Sequence, residues 1–257
     1  MMTRHTLFAI AVLTAAVMLP ASNAMAVSIS YDTPTGATVL DGVTPRPVDA
    51  RATFTTGAGT LTILLENFQT NIRSVAQNVS DLTFTLSNSS LNTASFAVTG
   101  NSAKERTVAA DGTFTNGSTL TTASAIGWVL TNPAAGTFHL DDLVGTGHAG
   151  PAHTLIGPPD TATQYTNANN SIAGNGPHNP FLAENITWAL NITGITDQTT
   201  ITAVTFSFGT EPLDPDLTVQ GVPSVPEPST FLLLGSGLAG LAGLQWRTRA
   251  RRAEVAG

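Results

Sequence analysis

The chain has 257 residues, no cysteine and only 11% charged residues, so no disulfide staples it and no thiolate can act as nucleophile or metal ligand. Formal charge is −7, and residues 27–225 alone hold 15 acids against 5 bases, with Lys104 the only lysine. That body charge of −10 speaks against nucleic-acid binding, which needs a basic face to displace phosphate counterions.

At the N-terminus Arg4 and His5 precede an apolar run from Leu7 to Leu19, then Pro20 and Ala24-Met25-Ala26. A charged start, a short apolar stretch and an A-x-A site describe a secretory signal peptide over 1–26. Signal peptidase would recognise Ala24 and Ala26 and leave Val27 as the mature N-terminus. The 13-residue run is too short to span a bilayer.

From 27 to 222 the pattern is that of strands. Thr supplies 36 of the 199 residues in 27–225, and its branched Cβ suits a pleated surface. Leu82, Phe84 and Leu86 alternate with Thr83 and Thr85. Ile186, Trp188, Leu190 and Ile192 alternate with Thr187, Ala189 and Asn191, and Val204, Phe206 and Phe208 with Thr205 and Ser207. Further strands are predicted at 52–56, 60–68, 94–99, 105–108, 112–115, 126–131 and 137–144. Asp111-Gly112 reads as a hairpin turn, and Asn88 to Asn92 as the link between 81–87 and 94–99. About ten strands predict an all-β, extracytoplasmic domain, an antiparallel β-sandwich or jelly-roll, with a single closed barrel as the alternative. Residues 145–181 break the rhythm with six Gly and five Pro. An irregular segment this long is uncommon and is either functional or disordered.

The C-terminus, from 223 to 257, has three parts. Val225-Pro226-Glu227-Pro228 leads into an apolar stretch, and Arg247, Arg249, Arg251 and Arg252 follow it. The 19 uncharged residues between Glu227 and Arg247 would form a single transmembrane helix of about 28 Å. Residues 229–246 would hold the chain in the membrane. The arginines would stay cytoplasmic, placing the body on the other side. Gly235, Ser236, Ala239, Gly240 and Gly243 keep one helix face small, either for close helix approach or as residues tolerated in lipid.

This order of Pro226, Glu227 and Pro228, a short Gly/Leu-rich span and a terminal Arg cluster resembles the PEP-CTERM sorting signal of Gram-negative bacteria. The resemblance covers roughly residues 224–252. It implies tail removal near the triplet by an exosortase, then export to the envelope surface or an exopolysaccharide matrix. Two prolines keep the triplet extended and outside any helix, a form that a protease cleft can grip. A permanent single-span anchor with a proline-rich stalk is the alternative. The string from His153 through Pro180, the strand at 185–192 and Ser207-Phe208-Gly209-Thr210 also resemble a recurrent PEP-CTERM protein body of unassigned activity.

Candidate chemistry is sparse. His139, His148, His153 and His178, with Asp141 and Asp142, would form a Zn²⁺ site if they converged; the alternative is loop histidines bonding turn backbone. Asp214-Pro215-Asp216 suggests Ca²⁺, but Val219 stands where an EF-hand loop needs Gly, and an acidic stalk is the competing reading. Glu66 and Glu184 are the one glycosidase-type carboxylate pair considered. No G-x-S-x-G elbow, P-loop or H-E-x-x-H motif occurs. Sequons begin at Asn78, Asn88, Asn116, Asn169, Asn185 and Asn191. At least one of Trp128 and Trp188 should be core. The expected function is therefore a non-catalytic surface or matrix component without cofactor. The alternatives are a secreted polysaccharide hydrolase with 145–181 as active-site rim, and a carbohydrate- or Ca²⁺-binding module.

Overall fold

The computed structural model describes residues 27–92, 96–143, 146–211 and 214–224. The expected signal peptide, with Ala24 and Ala26, and the tail, with Pro226, Glu227, Pro228 and the four arginines, lie outside the described residues. Among the described residues no helix is long and apolar enough to cross a membrane.

The strands are β1 (Val27–Asp32), β2 (Thr38–Asp41), β3 (Thr44–Pro47), β4 (Ala50–Gly57), β5 (Thr60–Asn67), β6 (Val79–Leu86), β7 (Phe96–Val108), β8 (Phe114–Leu120), β9 (Val129–Ala134), β10 (Thr137–Asp141), β11 (Leu155–Ile156), β12 (Phe181–Ile192), β13 (Ile201–Phe208), β14 (Thr218–Gln220) and β15 (Val222–Ser224). They form one large sheet with two arms, plus the β2–β3 hairpin. One arm runs β14-β13-β6-β10-β9 and the other β15-β1-β4-β5-β12-β7-β8. The two-residue β11 is the seam, parallel to β12 at Leu155↔Leu182 and antiparallel to β6 at Leu155↔Val79.

Alternation explains why the arms close on each other. Phe54 on β4, Leu61, Ile63 and Leu65 on β5, and Ile186, Trp188 and Leu190 on β12 are buried on one inner face. Leu82 and Phe84 on β6, Phe138 and Leu140 on β10, and Val204, Phe206 and Phe208 on β13 are buried on the other. Each side chain of this size contributes about 1.5–3 kcal/mol on leaving water. Rings carry the contact across: Phe54 and Phe84 lie 5.3 Å apart between centroids, and Trp128 and Trp188 5.5 Å. The Tyr31 hydroxyl on β1 donates to the Ile201 carbonyl on β13 at 2.7 Å.

The all-β expectation holds. The arrangement differs from two independent antiparallel sheets, because β11 makes the sheet continuous and adds a parallel pair. Nor is the barrel closed, since β8 and β9 each pair with one neighbour among the described residues. The predicted strands 94–99 and 105–108 belong to a single 13-residue strand, β7, with register shifts against β12. The predicted strand 126–131 starts only at Val129, because Ile126 closes a short helix, Ala123–Ile126, capped by the Thr122 hydroxyl and ended by left-handed Gly127. β2, β3, β14 and β15 are short or lack alternation, so periodicity did not reveal them.

Residues 145–181 are not a structureless loop where described. Ile72, Val108, Ile156, Tyr165, Ile172 and Phe181 form a second apolar cluster beneath this segment. Asp111-Gly112 is the expected turn, with Asp111 Oδ1 accepting from the Thr113 amide at 2.9 Å.

At the other side of the molecule, one residue separates β14 from β15. Gly221 carries the chain from β13 in one arm to β1 in the other, and its amide donates to the Val204 carbonyl at 2.9 Å. A Cβ there would meet the Phe206 ring at 3.1 Å, Val204 at 3.2 Å and Tyr31 at 3.3 Å. Gly221→Val should therefore cost about 1–3 kcal/mol, seen as a lower urea midpoint at unchanged slope.

Candidate functional site

The polar groups concentrate at the end of the sandwich that carries residues 146–181. Its organising side chain is Arg106 on β7, 5% exposed. Arg106 Nε donates to Asn116 Oδ1 at 2.9 Å, and Nη1 donates to the Tyr165 hydroxyl at 2.9 Å and lies 2.8 Å from Glu184 Oε1. The guanidinium also stacks 4.4 Å from the Phe114 ring centroid. Tyr165 passes its own proton to the Gly157 carbonyl at 2.7 Å. Burial pushes the Tyr165 hydroxyl up to about 12 despite the opposing Arg106 charge. Glu184 reaches Arg106 from a left-handed backbone, φ 64°, inside the register shift between Leu182 and Ile186. One buried cation thus ties β7, β8, β12 and the long segment together. Nothing in the pattern of the sequence marked Arg106 as the centre of this network.

The four histidines do not converge. His153 Nδ1 donates to the Ile126 carbonyl at 2.8 Å and His178 Nδ1 to the Ser171 carbonyl at 2.6 Å, so both bond turn backbone. His139 and His148 fall together at the end of β6 and β10, where Asp81 and Asp141 are register partners. His139 Nε2 lies 3.3 Å from Asp81, and His148 Nε2 3.5 Å from Asp141. Burial opposes a charge on His139, but the Asp81 and Asp141 carboxylates outweigh it and raise its pKa. Among the described residues no three His or carboxylate side chains are placed to share a metal ion.

Asp142 is fully buried, and neither carboxyl oxygen has a hydrogen-bond partner. Burial first, and Asp141 second, push its pKa up to about 9.

The other candidates have local roles. Asp32, Arg51 and Glu66 form a row across β1, β4 and β5 on an outer face, with Arg51 Nε 2.6 Å from Asp32. Burial raises the Glu66 pKa and Arg51 opposes it. Glu184 sits on the adjacent strand, one residue from the partner of Glu66, but turns to Arg106. Asp214 accepts from the Asp216 amide at 2.9 Å and caps the 3₁₀ turn Pro215–Leu217, so this stretch is part of the body rather than a stalk. Both tryptophans are core, and with Val98, Leu130, Leu140 and Leu190 they line an apolar recess of about 380 Å³. Of the sequons, Asn78 is fully buried and bonded to Thr154, which removes it as a glycan acceptor.

The remaining feature is where the chain leaves the body. β15 pairs with the N-terminal strand at Ser30↔Ser224 and Asp32↔Val222, and the Ser224 hydroxyl donates to Asp32. The last described strand thus reaches Ser224, immediately before Val225-Pro226-Glu227-Pro228 in the sequence.

Residues 224–252 match the PEP-CTERM protein-sorting motif. The motif opens on the last residue of β15, so no linker separates the signal from the body. PEP-CTERM implies exosortase processing of an exported protein and sorting to the cell envelope or surface. A search of curated proteins found no match to the chain.

Two measurements test the buried network. Arg106→Leu removes the partner of Tyr165, Asn116 and the part-exposed Glu184 and should cost about 1–3 kcal/mol, with cleavage by added protease appearing first within 146–181. For Asp142, the folded state holds a proton that the unfolded chain releases, so this residue favours folding less as pH rises from about 4 to about 9. The slope is at most about 1.4 kcal/mol per pH unit. Asp142→Asn should gain stability relative to wild type between pH 5 and pH 8, by up to about 4 kcal/mol over the three units, in urea melts at the two pH values.

Proposed function

We propose that this protein is an exported, exosortase-processed component of the cell surface or the exopolysaccharide matrix, and that its body works by presence and contact rather than catalysis. In this reading signal peptidase cuts after Ala26. Residues 229–246 then hold a tethered intermediate in the inner membrane. The exosortase engages Pro226-Glu227-Pro228 and releases the body.

The observation that carries the reading is the sorting motif at 224–252, joined directly to a folded β body. The body's own chemistry supports it. The buried Arg106 and Tyr165 are committed to holding segments together. Its outer faces present rows of hydroxyls: Ser30 pairs with Thr53 at 2.8 Å, Thr55 with Ser28 at 3.3 Å and Thr85 with Thr137 at 3.1 Å. Such rows of hydroxyls stay hydrated, which suits residence among polysaccharide chains.

Pro226→Ala with Pro228→Ala should leave the tail attached and the protein in the membrane fraction, read as intact mass of the recovered chain. Normal tail removal and normal surface delivery by this double variant would overturn the proposal.

A further inference from the structure

The strand register sorts the molecule into two poles. At one pole lie the turns 57–59, 87–92, 135–136 and 193–200, tied to one another by backbone bonds. Gly59 donates to Ile195 at 3.2 Å, Ser87 to Thr200 at 2.9 Å and Gly136 to Leu91 at 3.2 Å. Val27 belongs to this pole, opposite Thr56. β15 also runs toward it, reaching Ser30 at Ser224. The opposite pole carries the β2–β3 hairpin, residues 68–78, 109–113, 146–181 and 209–217.

Charge follows the same division. Residues 27–224 contain 20 charged side chains, and Asp197 is the only one at the first pole. The other 14 acids and 5 bases lie in the half of the sandwich toward the second pole, giving it −9. What the first pole exposes is Ala58, Ser87, Ser89, Ser90, Ala135 and Thr193.

Five residue steps separate Ser224 from the apolar stretch at 229, a reach of at most about 18 Å. The body extends beyond Ser224 toward Val27 by three residues of strand, about 10 Å. A chain continuing in the direction of β15 would spend over half of that reach alongside the body. The first pole would then lie within about one Debye length of the headgroups. The acidic pole is held a strand length further away, about 23 Å for the eight residues of β4. A pole whose one charged side chain is Asp197 sheds little ionic hydration on approaching lipid, and the acidic one is kept beyond reach of anionic headgroups.

We propose that, while the tail is membrane-held, the charge-poor pole formed by turns 57–59, 87–92, 135–136 and 193–200 faces the lipid surface and the acidic, loop-rich pole points away from it. This orientation rests on the tether assigned under Proposed function. It makes the 146–181 pole the surface offered to partners and places both processing points, before Val27 and after Ser224, on the membrane side.

The chain lacks cysteine, so single-cysteine variants label cleanly. Full-length Ala58→Cys, Ala135→Cys and Ala162→Cys, all at exposed positions, would carry a fluorophore in phosphatidylethanolamine–phosphatidylglycerol vesicles containing headgroup-nitroxide lipid. Quenching should be several-fold stronger at 58 and 135 than at 162. Equal quenching at all three, or stronger quenching at 162, in chains that float with the vesicles would overturn the orientation while leaving the tether intact. Full-length chains that fail to float with vesicles would instead overturn the tether, and the orientation with it.

Discussion

The crossing at Gly221 is the constraint on which the rest of the molecule depends. A single residue without a side chain lets the last strand leave β13 in one arm and join β1 in the other, against Phe206, Val204 and Tyr31. The Tyr31 hydroxyl bond to Ile201 holds the same two strands from inside the core. On the far side the short β11 seam does the corresponding work. Between these two joins the aromatic column Tyr31, Phe54, Phe84 and Phe138 fills the space, each ring within 6.3 Å of the next. The first described strand and the last described strand, on which the sorting motif opens, are therefore direct neighbours, and β1 is the strand that β15 pairs with among the described residues.

The loop-rich pole is built on a different principle. Its Gly- and Pro-rich sequence offers few large apolar groups, and six residues make up its buried cluster. Polar side chains complete the job. Arg106 satisfies an amide, a phenol and a carboxylate at once, and a buried cation so fully bonded specifies the arrangement of the three elements around it. Asp142 shows the opposite situation, a carboxyl without partners whose burial is relieved by keeping its proton. Both arise where β10 and β12 hand over to irregular backbone that must still be covered.

The separation of charge from the pole at which the chain begins and leaves gives the body a direction. A sandwich with evenly scattered charge would meet a membrane in any attitude. Here strand order places Asp32, Arg51, Glu66, Asp81, Arg106, Asp141 and Glu184 in one half, and leaves the opposite turns with Asp197 as their one charged side chain.

Local pattern already determined the all-β body, the alternating inner faces of β6, β12 and β13, the Asp111-Gly112 turn and the sorting motif. These are short-range properties: side-chain period, turn chemistry, and a run of apolar residues bounded by prolines and arginines. Tertiary structure alone decided that β7 is one strand rather than two, that β11 makes a single sheet of two arms, and that residues 146–181 pack over a small core. It alone separated His153 and His178 from His139 and His148, and drew Arg106, Tyr165 and Glu184 together. Those pairings join residues far apart in the chain. Such contacts are selected by which buried groups can satisfy one another once the arms have closed, and no local period records that choice.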